Sequence, residues 1–519
     1  MKWFINILQG FIPVCLTLSG VLVFNFYGQT QARFNLRYDS GFPKTLFTSL
    51  LEAEDGYFTT GILGDTLNIN ARPSIIAKFN FQGEVQFQKT YGGLGDYQLF
   101  AQNPDLNFLN DSTLIHSGDT WDENNLRMGY LMKYNLQGDT TQMIKFYSPH
   151  IEEDYPSSDF ISVSESLVSN DGHIYVLCTV VGENTGNDKM VRKYTADGIH
   201  LWDYFYITPA EIDFIQAFEI YQDLIYLVFI NLENAEHHIV SINSTGVELE
   251  EEIWEHNGFL GSERDFLLFE DYIYSVSDWD EYEVDGVSPG IYKTNLQGQL
   301  EWHNPSCTEI LSWQNQARIV KLNNDSTNLY LGGILVNTDS IPNDFTACLA
   351  KYTLDGEVLW SRQYRYLDLV SDDHQLYDMR ATSDGGVIFC GESYDTNPDI
   401  ELTEPPYQQG WLVKADEHGC LVEGCEQYDN VEEISLSSEY FKVGPVPARD
   451  YLNVFQIKPL DTSHTYKLHD MTGNLIESFP AADVQTTFML PIHTLSSGNY
   501  VLTLSSRDQI IQKEKIIIL

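Results

Sequence analysis

Along most of the chain, apolar and polar residues alternate in short runs separated by Gly, Asp and Asn. That is the period of half-buried β-strands joined by tight turns. One stretch recurs seven times: an apolar pair, usually Lys, an aromatic or apolar residue, Asn, Thr or Asp, and then Gly. The copies are Ile76-Ala-Lys-Phe-Asn-Phe-Gln-Gly83, Leu131-Met-Lys-Tyr-Asn-Leu-Gln-Gly138, Val191-Arg-Lys-Tyr-Thr-Ala-Asp-Gly198 and Ile239-Val-Ser-Ile-Asn-Ser-Thr-Gly246. They continue with Ile291-Tyr-Lys-Thr-Asn-Leu-Gln-Gly298, Leu349-Ala-Lys-Tyr-Thr-Leu-Asp-Gly356 and Leu412-Val-Lys-Ala-Asp-Glu-His-Gly419. Each Gly turn predicts a hairpin, and the alternating run that follows often carries Trp, at Trp202, Trp302 and Trp360. Upstream of each copy stands an Asp-centred turn leading into an aromatic-rich strand, at Asp55, Asp111, Asp171, Asp223, Asp271, Asp325 and Asp384.

Two landmarks interleaved in this way leave room for four short strands per repeat, which is the content of a propeller blade. The seventh Gly turn runs into Cys420 and Cys425 instead of an alternating strand. The missing strand is expected at the other end of the body, where Arg33–Tyr38 resembles Leu359–Tyr364. The N-terminal segment would then complete the last blade and close the ring, removing an open sheet edge; the competing arrangement is an open β-solenoid. The expected architecture is all-β: a seven-bladed β-propeller over residues 33–427, a linker at 428–439, and a small immunoglobulin-like β-sandwich over 440–519.

Composition adds the setting. With 43% hydrophobic and 13% aromatic residues the chain can bury a core, and 31 Tyr and 28 Phe suit strands. Against 75 Asp and Glu there are 29 Lys and Arg, a formal charge of −46. Such a surface repels nucleic acid and anionic lipid. After Tyr440 the balance changes: seven basic residues (Lys442, Arg449, Lys458, Lys467, Arg507, Lys513, Lys515) meet seven acidic ones (Asp450, Asp461, Asp470, Glu477, Asp483, Asp508, Glu514). A break of that size marks a domain boundary. At the other end, Lys2 followed by the apolar stretch Phe11–Phe24 reads as a secretory signal, assigned to residues 1–28. No other segment could span a bilayer, so an integral membrane protein is not expected. Cys420 and Cys425 are the disulfide candidate, a small loop worth about 2 kcal/mol. Cys178, Cys348 and Cys390 lie in apolar runs and read as buried thiols.

Two resemblances follow from these motifs. Asp384-Gly-Gly386 and Lys89-Thr-Tyr-Gly-Gly93, with the Lys–Gly–Trp spacing, resemble the repeats of secreted bacterial propellers. Those motifs specify fold and not activity. In the last eighty residues, Val443-Gly-Pro-Val-Pro447 followed by Tyr451-Leu-Asn-Val454 resembles the opening of type IX (Por-system) C-terminal sorting domains. The turn at Gly473, the segment Leu495-Ser-Ser-Gly-Asn-Tyr-Val501 and the basic, apolar ending Lys513-Glu-Lys-Ile-Ile-Ile518 match the rest in order. Pro445, Pro447, Gly473, Gly498, Tyr500, Lys513 and Lys515 carry the likeness. It implies passage through the periplasm, the type IX secretion machinery as a partner, and a secreted or surface-attached product.

No catalytic constellation stands out. His237-His238 lacks the spaced Glu of a zinc-protease helix and reads as a polar loop before a strand. Asp278–Gly286 is dense in carboxylates and could offer oxygens to Ca2+, although it lacks the spacing of a dedicated calcium loop; no other cofactor is expected. The longest insertions, 64–74, 117–129, 277–290, 335–346 and 392–410, should emerge on one face of a propeller, where binding surfaces form. Two functions stay open: a surface protein binding a glycan or protein with that loop face, and a propeller hydrolase or lyase acting on extracellular polysaccharide.

Overall fold

The computed structural model describes residues 31–518 apart from 65–72, 93–98, 101–105, 124–125, 148–159, 183–185, 207–213, 232–235, 256–262, 278–289, 306–315, 338–343, 367–371, 396–407, 423–424, 426–439, 445–447, 449–450, 457–459, 461–463, 471–474, 482–486, 494, 497 and 507–508. The chain divides into two compact units, one of Met1–Tyr364 with Asp373–Val422, the other of Arg365–Asp372 with Glu423–Leu519.

The first unit is a seven-bladed β-propeller. Blade 1 runs Lys44–Ala53, Gly56–Gly64, Ser74–Phe79, Val85–Tyr91 from channel to rim; blade 2 has Leu99–Phe100 and Asn107–Asn110 innermost, then Thr113–Trp121, Arg127–Asn135, Thr140–Phe146. Blade 3 is Phe160–Val168, Ile174–Gly182, Gly186–Tyr194, His200–Tyr206, and blade 4 Phe214–Tyr221, Leu224–Asn231, Glu236–Ile242, Glu248–Glu255. Blade 5 is Glu263–Phe269, Tyr272–Ser277, Gly290–Asn295, Leu300–Pro305; blade 6 is Gln316–Leu322, Asn328–Asn337, Asp344–Thr353, Val358–Tyr364. Blade 7 has three strands of its own, Asp372–Ala381, Val387–Asp395 and Gln408–Ala415. Its fourth is Phe34–Tyr38, antiparallel to Gln408–Ala415 with Leu36 opposite Leu412, the ring closure expected from the sequence.

The core repeats with the blades. Seven apolar clusters lie between successive blades, and the one joining blade 7 to blade 1 brings Ile388, Cys390 and Leu412 against Phe47, Leu50 and Tyr57. Phe34, Leu36 and Tyr38 of the closing strand pack on that same cluster. A solenoid would leave one of these seven junctions open.

The recurring motif is explained by these junctions. In the turn, the Asn80 side-chain oxygen accepts from the N–H groups of Gln82 and Glu84, and Gly83 at φ +79° takes the left-handed conformation that closes it. Asn135, Asn243 and Asn295 do the same in their blades. The glycine also admits a neighbour. A Cβ on Gly356 would stand 2.8 Å from the Trp302 ring of the preceding blade, and one on Gly246 2.9 Å from Trp202. Gly419 faces Trp360, Gly138 faces Phe87, and Gly83 faces Phe34 of the closing strand.

The indole N–H of Trp202, Trp302 and Trp360 then donates to the next blade's turn, at the carbonyls of Ser244, Leu354 and Glu417. The motif lysines reach the same turns: Lys193 to Ser244 O at 2.8 Å, Lys133 to Ala196 O at 2.6 Å, Lys293 to Leu354 O at 3.2 Å. Gly, Lys and Trp are therefore blade-to-blade fasteners.

The second unit is an immunoglobulin-like sandwich of a three-stranded sheet (Phe441–Gly444, Tyr451–Gln456, Thr487–Pro491) and a four-stranded one ordered Leu475–Pro480, His464–Asp470, Gly498–Ser506, Gln509–Ile518. Its core holds Phe441, Leu452, Val454, Tyr466, Leu468, Leu502, Leu504, Ile516 and Ile518.

Candidate functional sites

In the C-terminal unit, Pro445, Pro447 and Gly473 lie outside the described residues. Gly498 opens the strand Gly498–Ser506, and Tyr500, two residues on, is buried in the core. The Tyr500 hydroxyl donates to the carbonyl of Ser496 at 2.9 Å. Tyr four residues after Ser496 thus ties the turn to the strand it precedes, a structural reason for the motif's spacing. Lys513 pairs in register with Thr503 and Lys515 with Val501 on the final strand, and Lys513 is exposed. The first and last motifs meet: Ala448 N–H donates to Ile517 O at 2.7 Å, in a parallel bridge with Ile518.

Residues 442–519 match the family described as a secretion system C-terminal sorting domain. This unit is a type IX sorting domain. The protein is therefore exported by that route, through the periplasm, to the outer surface or beyond. No curated protein matches the chain. Among solved structures, one similar to it is PorZ, an essential bacterial surface component of the type IX secretion system of Porphyromonas gingivalis, at 10% identity, 91% of this chain, 70% of that one and TM-score 0.31. Others are the periplasmic gluconolactonase PpgL of Pseudomonas aeruginosa (10%, 72% and 97%, TM-score 0.41) and the WD40 domain of fission-yeast SCAP (9%, 74% and 97%, TM-score 0.37). At these distances the propeller assignment rests on the strand pairing itself.

In the propeller, all five long insertions join the second strand of a blade to the third, in blades 1, 2, 5, 6 and 7. Most of their residues, and the Asp278–Gly286 carboxylates, lie outside the described residues. Among the described residues no group of three His, Cys, Asp or Glu is placed to hold a metal, and no helix is long and apolar enough to cross a membrane.

Two readings of the sequence need correction. His237 and His238 sit inside the strand Glu236–Ile242, where His238 is buried with Nδ1 3.0 Å from Glu251; cross-strand pairing to Glu248–Glu255 outweighs the polar-loop look. Cys348 is disulfide-bonded and not a free thiol, whereas Cys178 and Cys390 are free and buried. Cys420 and Cys425 are each disulfide-bonded.

The sequence missed the channel. Inner strands carry one extra residue, marked by register shifts at Phe47/Ser49, Val163/Glu165, Ile215/Ala217, Glu263/Asp265 and Ala317/Ile319. Such a bulge leaves backbone N–H groups without ladder partners. Acidic and hydroxyl side chains of the preceding blade supply them: Asp378 accepts from Leu50 N–H at 2.7 Å, Ser49 from Leu106 N–H at 2.8 Å, Asp265 from Val320 N–H at 3.1 Å. Asp119 does so from a second strand, accepting from Val163 N–H at 2.6 Å.

Two residues beyond the shift, blades 1, 3 and 5 place Leu51, Leu167 and Leu267, but blades 4 and 6 place Glu219 and Lys321; Arg380 follows Asp378 at the same interval. Lys321 pairs with Asp265 at 2.8 Å and Arg380 with Asp378 at 3.2 Å. Glu219 of blade 4 is within electrostatic reach of Asp265 of blade 5, Lys321 of blade 6 and Arg380 of blade 7. Burial pushes its carboxyl up to about 7, against the pull of Lys321 and with Asp265 adding to the rise. Burial also holds the Asp378 carboxyl above its ordinary range despite Arg380 and Lys321.

A second cluster lies in blade 7. Glu392 accepts from Tyr377 Oη at 2.6 Å and from the Gln408 amide, and Arg318 stacks over the Tyr377 ring. Burial pushes the Glu392 carboxyl up to about 7, the Tyr377 bond opposing and Asp373 assisting.

Proposed function

We propose that this is an exported, surface-delivered binding protein, the propeller presenting a ligand surface and the sorting domain supplying the address. The observation that carries the reading is the pairing of a sorting domain with a propeller whose motif Gly, Trp and most motif Lys residues serve the turns and junctions of the blades. What varies between blades is the second-to-third connections and the channel. Connections of that kind leave the same face in every blade, so their acidic and aromatic residues would form one surface suited to glycans or basic proteins. Residues 1–28 act as the export signal, 428–439 as the linker, and Cys420 with Cys425 as one bridge.

One observation favours a hydrolase or lyase instead: a Glu219 carboxyl near 7 is poised for acid–base work. Against it, Asp265 and Asp378 are occupied with cations and backbone amides, which suits structural acids better than a catalytic pair. A glycan array read beside a polysaccharide-hydrolysis screen of the full chain separates the two. Binding without released sugar is expected; released sugar overturns the binding reading.

A further inference from the structure

Three groups of side chains in the propeller are not used by the fold's repeat: the channel level of Glu219, Lys321 and Arg380, the Glu392 cluster, and aliphatics exposed after the Gly turns, such as Ile199, Val247 and Val358. The aliphatics have nothing that says what covers them. The Glu392 cluster is satisfied by its own Tyr377 and Gln408. The channel level is different in kind.

We propose that the channel level formed by Glu219, Lys321 and Arg380 is a binding site for a small ligand bearing a carboxylate or phosphate group. In a chain with 29 basic residues against 75 acidic ones, neighbouring inner strands set two cations at the register position where blades 1, 3 and 5 carry Leu. Solvent reaches them: the side chains of Lys321 and Arg380 are 26% and 22% exposed, while Asp378 behind Arg380 is fully buried.

Their acidic partners hold them in place and are themselves engaged by backbone amides, Asp265 by Val320 and Asp378 by Leu50. Among the described residues, Arg380 is engaged through Nη1, by Asp378 and by the Met379 carbonyl. The Nη2 and Nε edge is left, and a planar guanidinium edge matches an oxyanion in two parallel hydrogen bonds.

Glu219 sets the condition of entry. Among the described residues its one hydrogen bond is a 3.2 Å contact from Ile220 N–H, and the charges acting on it are Lys321, Asp265 and Arg380. Ionised, it competes with the ligand for both cations. Protonated, it leaves the two ion pairs as a neutral frame and offers an O–H donor. Oxyanion binding is thus coupled to proton uptake at Glu219 and weakens as pH rises through about 7.

The test is calorimetric titration of the full chain with glucuronate, inorganic phosphate and glucose. Binding of glucuronate or phosphate is expected near pH 6, about tenfold or more weaker near pH 8, with glucose inert. Which anion binds tells a sugar acid from a phosphate ligand. Arg380→Met should abolish binding, and Glu219→Gln should keep it while removing its pH dependence. Because Arg380→Met strands Asp378, the pair Arg380→Met with Asp378→Asn serves if the single variant does not fold. Failure of both anions to bind at about 10 mM, or binding that survives loss of Arg380, overturns the proposal. The outcome is independent of the loop-face reading, which the glycan array decides separately.

Discussion

The propeller and the sorting domain are both built from short antiparallel strands, yet their motifs serve different ends. In the propeller the motif residues repeat one mechanical task at several junctions: Gly356 admits Trp302, Trp302 bonds Leu354 O, and Lys293 reaches the same carbonyl. In the sorting domain the described motif residues occur once each. Tyr500 ties a turn to its strand, and Ala448 bonds Ile517 on the final strand. Repetition marks what the fold needs many times. A sparse motif on a charge-neutral surface marks what a partner has to read.

The sharpest way to break this comparison is to remove the sorting domain. A chain lacking 440–519 should accumulate in the periplasm with the propeller still folded, seen by fractionation and a cooperative melt. Surface delivery of that truncation refutes the address reading.

Next in size is the closing strand. Deleting Arg33–Tyr38 exposes the edge of Gln408–Ala415 and the cluster of Phe47, Tyr57 and Leu412. The protein should aggregate or melt in more than one step, and an unchanged single transition would contradict closure by this strand.

Much of this architecture was legible because the propeller repeats a contact as well as a sequence. Gly, Lys and Trp recur because several junctions are fastened in the same way, and Phe34 could be placed because its strand resembles the outer strand of blade 6. The channel was hidden for a physical reason. Glu219 and Lys321 stand where other blades have Leu, but the equivalence appears only after the bulge residue is counted, and no turn chemistry marks a bulge in an inner strand. Leu475–Pro480 escaped notice because its side chains are mostly exposed on both faces, so no alternation betrays it. The bonded state of Cys348 was illegible because its strand looks like any buried apolar run.

Within the propeller the fastener can be loosened at one junction. Gly356→Ala brings a Cβ to 2.8 Å from Trp302 and imposes a side chain at φ +90°. A loss of about 2–3 kcal/mol is expected in denaturant melts of the full chain. If the variant melts like the parent, the glycine is not a fastener.

A smaller effect comes from pH. Glu392 titrates at about 7 when folded against 4.5 in an open chain, so between those values the folded form holds a proton that the unfolded form has released. Its contribution is fully present below pH 4.5 and is lost as pH rises to about 7. Glu392→Gln should flatten that decline, so that between acid and pH above 7 the variant loses up to about 3 kcal/mol less stability than the parent. Parallel pH profiles for parent and variant would show that Glu392 ionises without strain.

The smallest perturbation falls in the sorting domain. Tyr500→Phe keeps the ring in the core but removes the 2.9 Å bond to Ser496 O, costing about 1 kcal/mol. If the two units are built for separate tasks, the propeller's transition should not move, and surface delivery should drop because the turn before Gly498–Ser506 is no longer tied down. Unchanged delivery would instead place recognition elsewhere, on the exposed Lys513 and the final strand that pairs with Tyr500 through Ile516. Lys513→Glu, which leaves the Tyr500 tie and the core intact, would then be the variant that fails to reach the surface.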